Sequence, residues 1–221
     1  MRTKELARLK RDYVTALKII VDQGLSDAFA HLSARVDGDR MLFMPRKSPA
    51  LVKPKDLFVV DFEKRVPQSS VHQAIYKRRD DVGAVVHFHS FNIVLLTVGG
   101  QTVRPMHNYS VAFYDGVPVF EGVGQVETPE RAAKIAELLG SAKAVLLRGH
   151  GAVVVGGNIP EVCMLALALD ESARLQIEAM KLGEPRFIDA REAERIAQQT
   201  FKETSIARAW EHYKARVESR R

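Results

Sequence analysis

Short apolar runs that read as strands alternate with amphipathic stretches at helical spacing from one end of this chain to the other. No segment rich in Pro, Gly or Ser separates the two kinds and no repeat is present, so the order calls for a single α/β domain over residues 1–221. Leu6, Leu9, Tyr13, Val14, Leu17, Ile20 and Val21 recur on one helical face across 3–23, and Gly24 follows as a C-terminal cap. Residues 30–36 and 40–44 are predicted strands joined by Asp37-Gly38-Asp39, a turn signal that closes hairpins, and 57–61 is a third strand. A helix is expected over 69–79, then the apolar strand 84–89, a short helix through 91–96 ending near Gly99-Gly100, and a strand within 117–120. Thr128-Pro129-Glu130 opens a further helix with a capping residue and an early proline. Strands at 144–147 and 152–155 flank Arg148-Gly149-His150-Gly151, a long helix runs over 160–182 to Gly183, and one last charged helix is expected over 189–218.

Composition narrows the class of chain. With 221 residues, 46% hydrophobic and 27% charged, it suits a soluble globular domain and excludes a coil or a collagen-like fibre. No run of 18 apolar residues could span a bilayer, and Met1-Arg2-Thr3-Lys4-Glu5 lacks the apolar core of a secretory signal, so a cytoplasmic location is expected. Cys163, the single cysteine, sits among Val162, Met164 and Leu165 and is expected to be a buried structural thiol. The net charge of +6 could serve nucleic acid, an anionic membrane or an anionic small molecule. In the C-terminal segment Arg191, Arg195, Lys202 and Arg208 alternate with Glu192, Glu194 and Glu203, which reads as a solvated helix and not as the one-signed stripe of a nucleic-acid reader. The basic N-terminal helix lacks the aromatic partners of a membrane-seeking one. An anionic small-molecule substrate is left as the expected partner, with neither nucleic acid nor membrane.

The chemistry lies in the histidines. His87 and His89 are two apart in a predicted strand, which puts both imidazoles on one face. Their neighbours Val85, Val86 and Phe88 make that strand buried, where two imidazoles without partners for their lone pairs would be costly. His150 lies between Gly149 and Gly151, which permit an unusual backbone or the close approach of a ligand. Three imidazoles suit a zinc-type ion with an open position, although three satisfied structural histidines would give the same spacing.

At these residues the sequence resembles the class II aldolase/adducin family, which includes fuculose- and rhamnulose-phosphate aldolases, ribulose-phosphate epimerases and several decarboxylases. Ala30-His31-Leu32-Ser33-Ala34-Arg35 is similar to an early strand of the family, and His72-Gln73-Ala74-Ile75-Tyr76 through His87-Phe88-His89 to the helix and strand that carry its His-x-His pair. Leu146-Leu147-Arg148-Gly149-His150-Gly151 resembles the last ligand segment and Leu169-Asp170-Glu171-Ser172-Ala173-Arg174 the closing helix; the likeness covers roughly 5–183. It implies a three-layer α/β/α fold with a largely antiparallel central sheet, assembled as a C4 homotetramer with sites between subunits. It implies too that His87, His89 and His150 bind a divalent ion, zinc first, with manganese, cobalt or iron as alternatives.

Two departures narrow the activity. The sugar-phosphate aldolases carry an acid/base glutamate where this chain has Gln68, and an amide cannot cycle a proton near neutral pH. Where they hold phosphate with hydroxyl and glycine residues, this chain has Met44-Pro45-Arg46-Lys47, and Arg46 and Lys47 suit a carboxylate unless both simply face solvent. Decarboxylation survives these losses, because a metal can stabilise the charge left by the broken carbon–carbon bond. The expected function is therefore a metal-dependent decarboxylase of a hydroxylated carboxylic acid, aromatic acids included. A retro-aldol lyase acting on a sugar phosphate or a hydroxy-keto acid, and a non-catalytic adducin-like binding module, are the alternatives. His72, His107 and Tyr109 are the candidate catalytic residues, with Tyr114 a further proton donor, and His31, Ser33, Arg46, Lys47 and Gln68 the candidate substrate contacts. Trp210 is expected to pack in the core, and Tyr213 near it could pack on or reach a neighbouring subunit.

Overall fold

The computed structural model describes residues 2–26, 28–66 and 68–219. Its strands are β1 (His31–Arg35), β2 (Arg40–Phe43), β3 (Phe58–Asp61), β4 (Ala84–Phe88), β5 (Val119–Phe120), β6 (Ala144–Leu147) and β7 (Gly151–Gly156). They form one sheet in the order β3-β2-β1-β4-β7-β6-β5. Every pairing is antiparallel except β5 with β6, as the expected architecture requires.

The helices are α1 (Thr3–Asp22), α2 (Ser70–Arg78), α3 (Phe91–Val98), α4 (Pro129–Leu139), α5 (Ile159–Leu182), α6 (Ala190–Thr200) and α7 (Glu203–Ser219). One face of the sheet packs against α1, α3, α5 and α7, through Leu32, Val86, Phe88, Leu146 and Val154 from the strands and Leu17, Ile20, Ile93, Leu165 and Trp210 from the helices. The other packs against α2 and α4, through Val85, Val145, Val153, Val71, Ile75 and Ile135. Each such fully buried aliphatic side chain contributes about 1.5–3 kcal/mol, so two apolar layers hold the sheet between them. Cys163 is fully buried, and burial raises its thiol well above the ordinary range, as suits a structural cysteine.

Helix ends follow local chemistry. Gly24, at φ +70°, and Leu25 return N–H groups to the carbonyls of Val21 and Ile20, closing α1. Thr128 and Asn158 accept from the amides of Arg131 and Glu161, each followed by an early proline. The C-terminal segment corrects the expectation of one helix over 189–218: α6 ends at Thr200 and α7 begins at Glu203. No Gly or Pro stands at the break. Phe201 turns out of helical geometry there, at φ −91° and ψ 53°, and packs against both the main core and the small cluster of Val111, Ala193 and Ala197. Among the described residues no helix is long and apolar enough to cross a membrane.

Candidate functional site

Strand register builds the centre of the site. His87 in β4 is paired directly with His31 in β1 and with Val153 in β7, and all three point toward the α2 side of the sheet. His89 follows two residues later on the same face. His150 arrives from the β6–β7 turn, and the flanking glycines explain how. Gly149 has φ +64°, and Gly151 has φ +156° with the space for a Cβ already taken by the Phe88 carbonyl oxygen, 2.2 Å away. Gly149 thus serves an unusual backbone and Gly151 the close approach of a strand. The Nε2 atoms of His87 and His89 stand 2.9 Å apart, and those of His89 and His150 3.1 Å apart.

Three ring nitrogens converging on one point, within 4.8 Å of one another, fit a divalent cation. His87 Nδ1 lies 2.9 Å from the carbonyl of Ala152 and donates to it, which places the proton on Nδ1 and leaves Nε2 as a lone-pair donor. Burial, then neighbouring imidazoles, hold His87 well below the ordinary histidine range. His150 is lowered by burial and by His89. Neutral imidazoles are the ligating form, so the electrostatics of the pocket agree with its geometry.

Behind this centre lies a buried polar run. His72 and Tyr76 are four apart on α2 and so share the helix face that meets β1. His31 Nδ1 is 2.7 Å from His72 Nε2, His72 Nδ1 is 2.7 Å from Ser33 Oγ, and Ser33 Oγ is 2.9 Å from the Tyr76 hydroxyl. Burial lowers His72 to about 3. His31 keeps 7% exposure, whereas His72 and Ser33 keep none, so neither His72 nor Ser33 can touch a molecule in the cavity. Nearby, Arg35 donates to the carbonyls of Tyr76, Arg79 and Val82 and lies over the Tyr76 ring, so it ties the end of α2 to the sheet.

The cavity in front of the triad holds about 450 Å³. His31, His87, His89 and His150 line it together with Arg46, Lys47 and Gln68. Lys47 is paired with Asp56 at 2.8 Å. Gln68 is the one non-glycine residue at positive φ among those described, +68°, the kind of backbone strain that persists where surrounding structure requires it. Glu127, which nothing in the sequence singled out, is the only carboxylate among the described residues that line the cavity. It stands immediately before the Thr128 cap of α4, and its carbonyl accepts from Ser70 Oγ at the start of α2. His107 and Tyr109 lie elsewhere. His107 Nε2 is 3.1 Å from Ser172 Oγ on α5, and Tyr109 borders a separate cavity of about 100 Å³ with Glu171 and Tyr213. Tyr114 packs against the cluster of Val111, Ala193 and Ala197. Within one chain none of these three residues reaches the triad.

Residues 11–177 match the family described as Class II Aldolase and Adducin N-terminal domain, and the chain belongs to it. A 3,4-dihydroxyphthalate decarboxylase of Terrabacter sp. (strain DBF63) is 27% identical over 76% of this chain and 80% of its own. A 5-methylthioribulose-1-phosphate/5-deoxyribulose-1-phosphate aldolase of Rhodospirillum rubrum is 30% identical over 85% of this chain and 89% of its own. The fold is shared with an aldolase II superfamily protein from Pseudomonas syringae, with a TM-score of 0.87 and 20% identity over 99% and 95% of the two chains. The chain thus combines the fold of the class II aldolases with a cluster of three histidines that could hold a divalent ion.

Proposed function

We propose that this protein is a metal-dependent carboxy-lyase acting on a hydroxylated carboxylic acid, aromatic acids included. One observation carries the reading: the cavity sets three converging imidazoles against two cations, Arg46 and Lys47, with an amide at Gln68. The decarboxylases among the relatives support it. His87, His89 and His150 would hold the ion, and an all-imidazole set favours zinc, with manganese, cobalt or iron as alternatives. A bound divalent ion supplies Lewis acidity, stabilising negative charge as the carbon–carbon bond breaks.

The chain's own residues do the rest. Arg46 receives the carboxylate in the bidentate manner of a guanidinium, assisted by Lys47 as far as its pairing with Asp56 allows. Glu127 takes the proton of the substrate hydroxyl and returns it to the carbon that loses carbon dioxide. The electron pair of the broken bond becomes the new carbon–hydrogen bond, carbon dioxide departs, and the product oxygen regains a proton from water. His107 and Tyr109 could join such a site only from a neighbouring subunit, which a cytoplasmic homotetramer with sites between subunits would provide.

The 30% identical Rhodospirillum aldolase favours a second reading, retro-aldol cleavage with Glu127 as the base for the substrate hydroxyl. Zinc-loaded protein offered hydroxylated aromatic and aliphatic acids, and sugar phosphates in parallel, separates the two. Carbon dioxide from an acid is expected; aldehyde from a sugar phosphate alone would reverse the order. No zinc bound at saturation would leave the non-catalytic, adducin-like reading in place of both.

A further inference from the structure

Tyr76, Ser33, His72 and His31 form one hydrogen-bonded run between α2 and β1, with separations of 2.9, 2.7 and 2.7 Å. Hydroxyls and neutral imidazoles both donate and accept, so each link could run either way. Counting hydrogens removes the choice. Among the described residues the Tyr76 hydroxyl hydrogen has a single acceptor, Ser33 Oγ. A buried polar hydrogen left without an acceptor loses its water partner and gains none in return, so Tyr76 donates to Ser33. Ser33 has one hydrogen and must spend it on His72 Nδ1. His72 then carries its proton on Nε2 and donates to His31 Nδ1, and the neutral His31 ring carries its own proton on Nε2.

We propose that this run sets the tautomer of His31, so that His31 presents an Nε2–H donor to the cavity and holds an anionic substrate oxygen there instead of acting as a fourth nitrogen ligand. The directly paired histidine is fixed the other way round: His87 spends its Nδ1 proton on Ala152 and offers a lone pair. The two rings lie 4.9 Å apart, centroid to centroid, one built to donate and the other to ligate. Tyr76, Ser33 and His72 are positioning residues in this scheme, and His31 is the group that meets the substrate. The identity of that substrate as a hydroxy acid rests on the function proposed above; the tautomer does not.

Nitrogen-15 NMR of histidine-labelled full-length protein, metal-free and after zinc addition, reads the tautomer directly, with His31→Gln to assign the ring. The expected result is an unprotonated Nδ1 and a protonated Nε2. Tyr76→Phe keeps the ring stacked on Phe62 but removes the hydroxyl that orients the run. It should let His31 populate both tautomers and lower kcat about tenfold, the worth of one hydrogen bond, with bound zinc unchanged. Tyr13→Phe removes a buried hydroxyl that donates to the Leu32 carbonyl on the opposite side of β1, and should leave the His31 signals in place. A proton on Nδ1 in the unaltered protein, or identical His31 signals in Tyr76→Phe, would overturn the proposal. The Nε2–H tautomer without carbon dioxide release from any acid would sink the carboxy-lyase reading and leave this one standing.

Discussion

Strand β4 and the residue after it show two faces made from alternate positions. Ala84, Val86 and Phe88 enter an apolar core against α1, α3 and α5, while Val85, His87 and His89 face α2 and the cavity. On the first face stability comes from area removed from water, and any well-packed apolar side chain of the right volume would serve. On the second, past Val85, His87 is buried and must have its nitrogens satisfied one by one: the Ala152 carbonyl takes one, and the other meets His89 Nε2 in the cluster that could hold an ion. The comparison shows why the site can sit in a sheet interior at all. The apolar face stabilises the strand, and the polar face is left free to meet chemical requirements.

Substitutions on the two faces should therefore fail in different ways. The largest effect is expected from His89→Ala or His150→Ala, which should abolish stoichiometric zinc by elemental analysis and lower kcat/KM by about 10³-fold or more, with the metal-free fold intact by circular dichroism. Phe88→Ala, on the other face, should cost about 3–5 kcal/mol in denaturant unfolding, yet the folded protein should still bind zinc. Loss of zinc by folded Phe88→Ala would show that the faces are not independent.

A smaller effect belongs to pH. His72 is neutral in the folded protein with a pKa of about 3, against an ordinary value of 6.5, so below pH 6.5 the unfolded chain binds a proton that the folded one refuses. The share of His72 in the stability lost by the metal-free protein should therefore reach about 1.4 kcal/mol one pH unit below 6.5, and His72→Gln should remove that share in urea titrations. The smallest effect is at Gln68. Glycine there relieves a left-handed backbone and should stabilise by about 0.5–1 kcal/mol in thermal melts, while kcat/KM drops about tenfold through the lost amide.

Much of this was legible from local pattern. The period of two placed His87 and His89 on one face, glycine and proline marked the ends of most helices, and the spacing of four put His72 beside Tyr76. The ends of the C-terminal helices were not legible, because Phe201 breaks the helix by packing between two clusters, and no residue type announces that. Nor was Glu127: the residue lines the cavity because the loop after β5 returns to the start of α2, where Ser70 holds its carbonyl.

The amino-acid sequence by itself determined the alternation of strands and helices, the face on which each side chain lies, and the chemical kinds available to a site. These depend on spacing along the chain and on the preferences of single residues. Tertiary structure alone decided that His150 meets His89, that His72 is sealed behind His31 while Arg46, Gln68 and Glu127 line the cavity, and that His107 and Tyr109 stay away from it. Those outcomes follow from strand register and from how closely one backbone can pass another, as Gly151 against Phe88 does, and such distances are set between segments far apart in the chain.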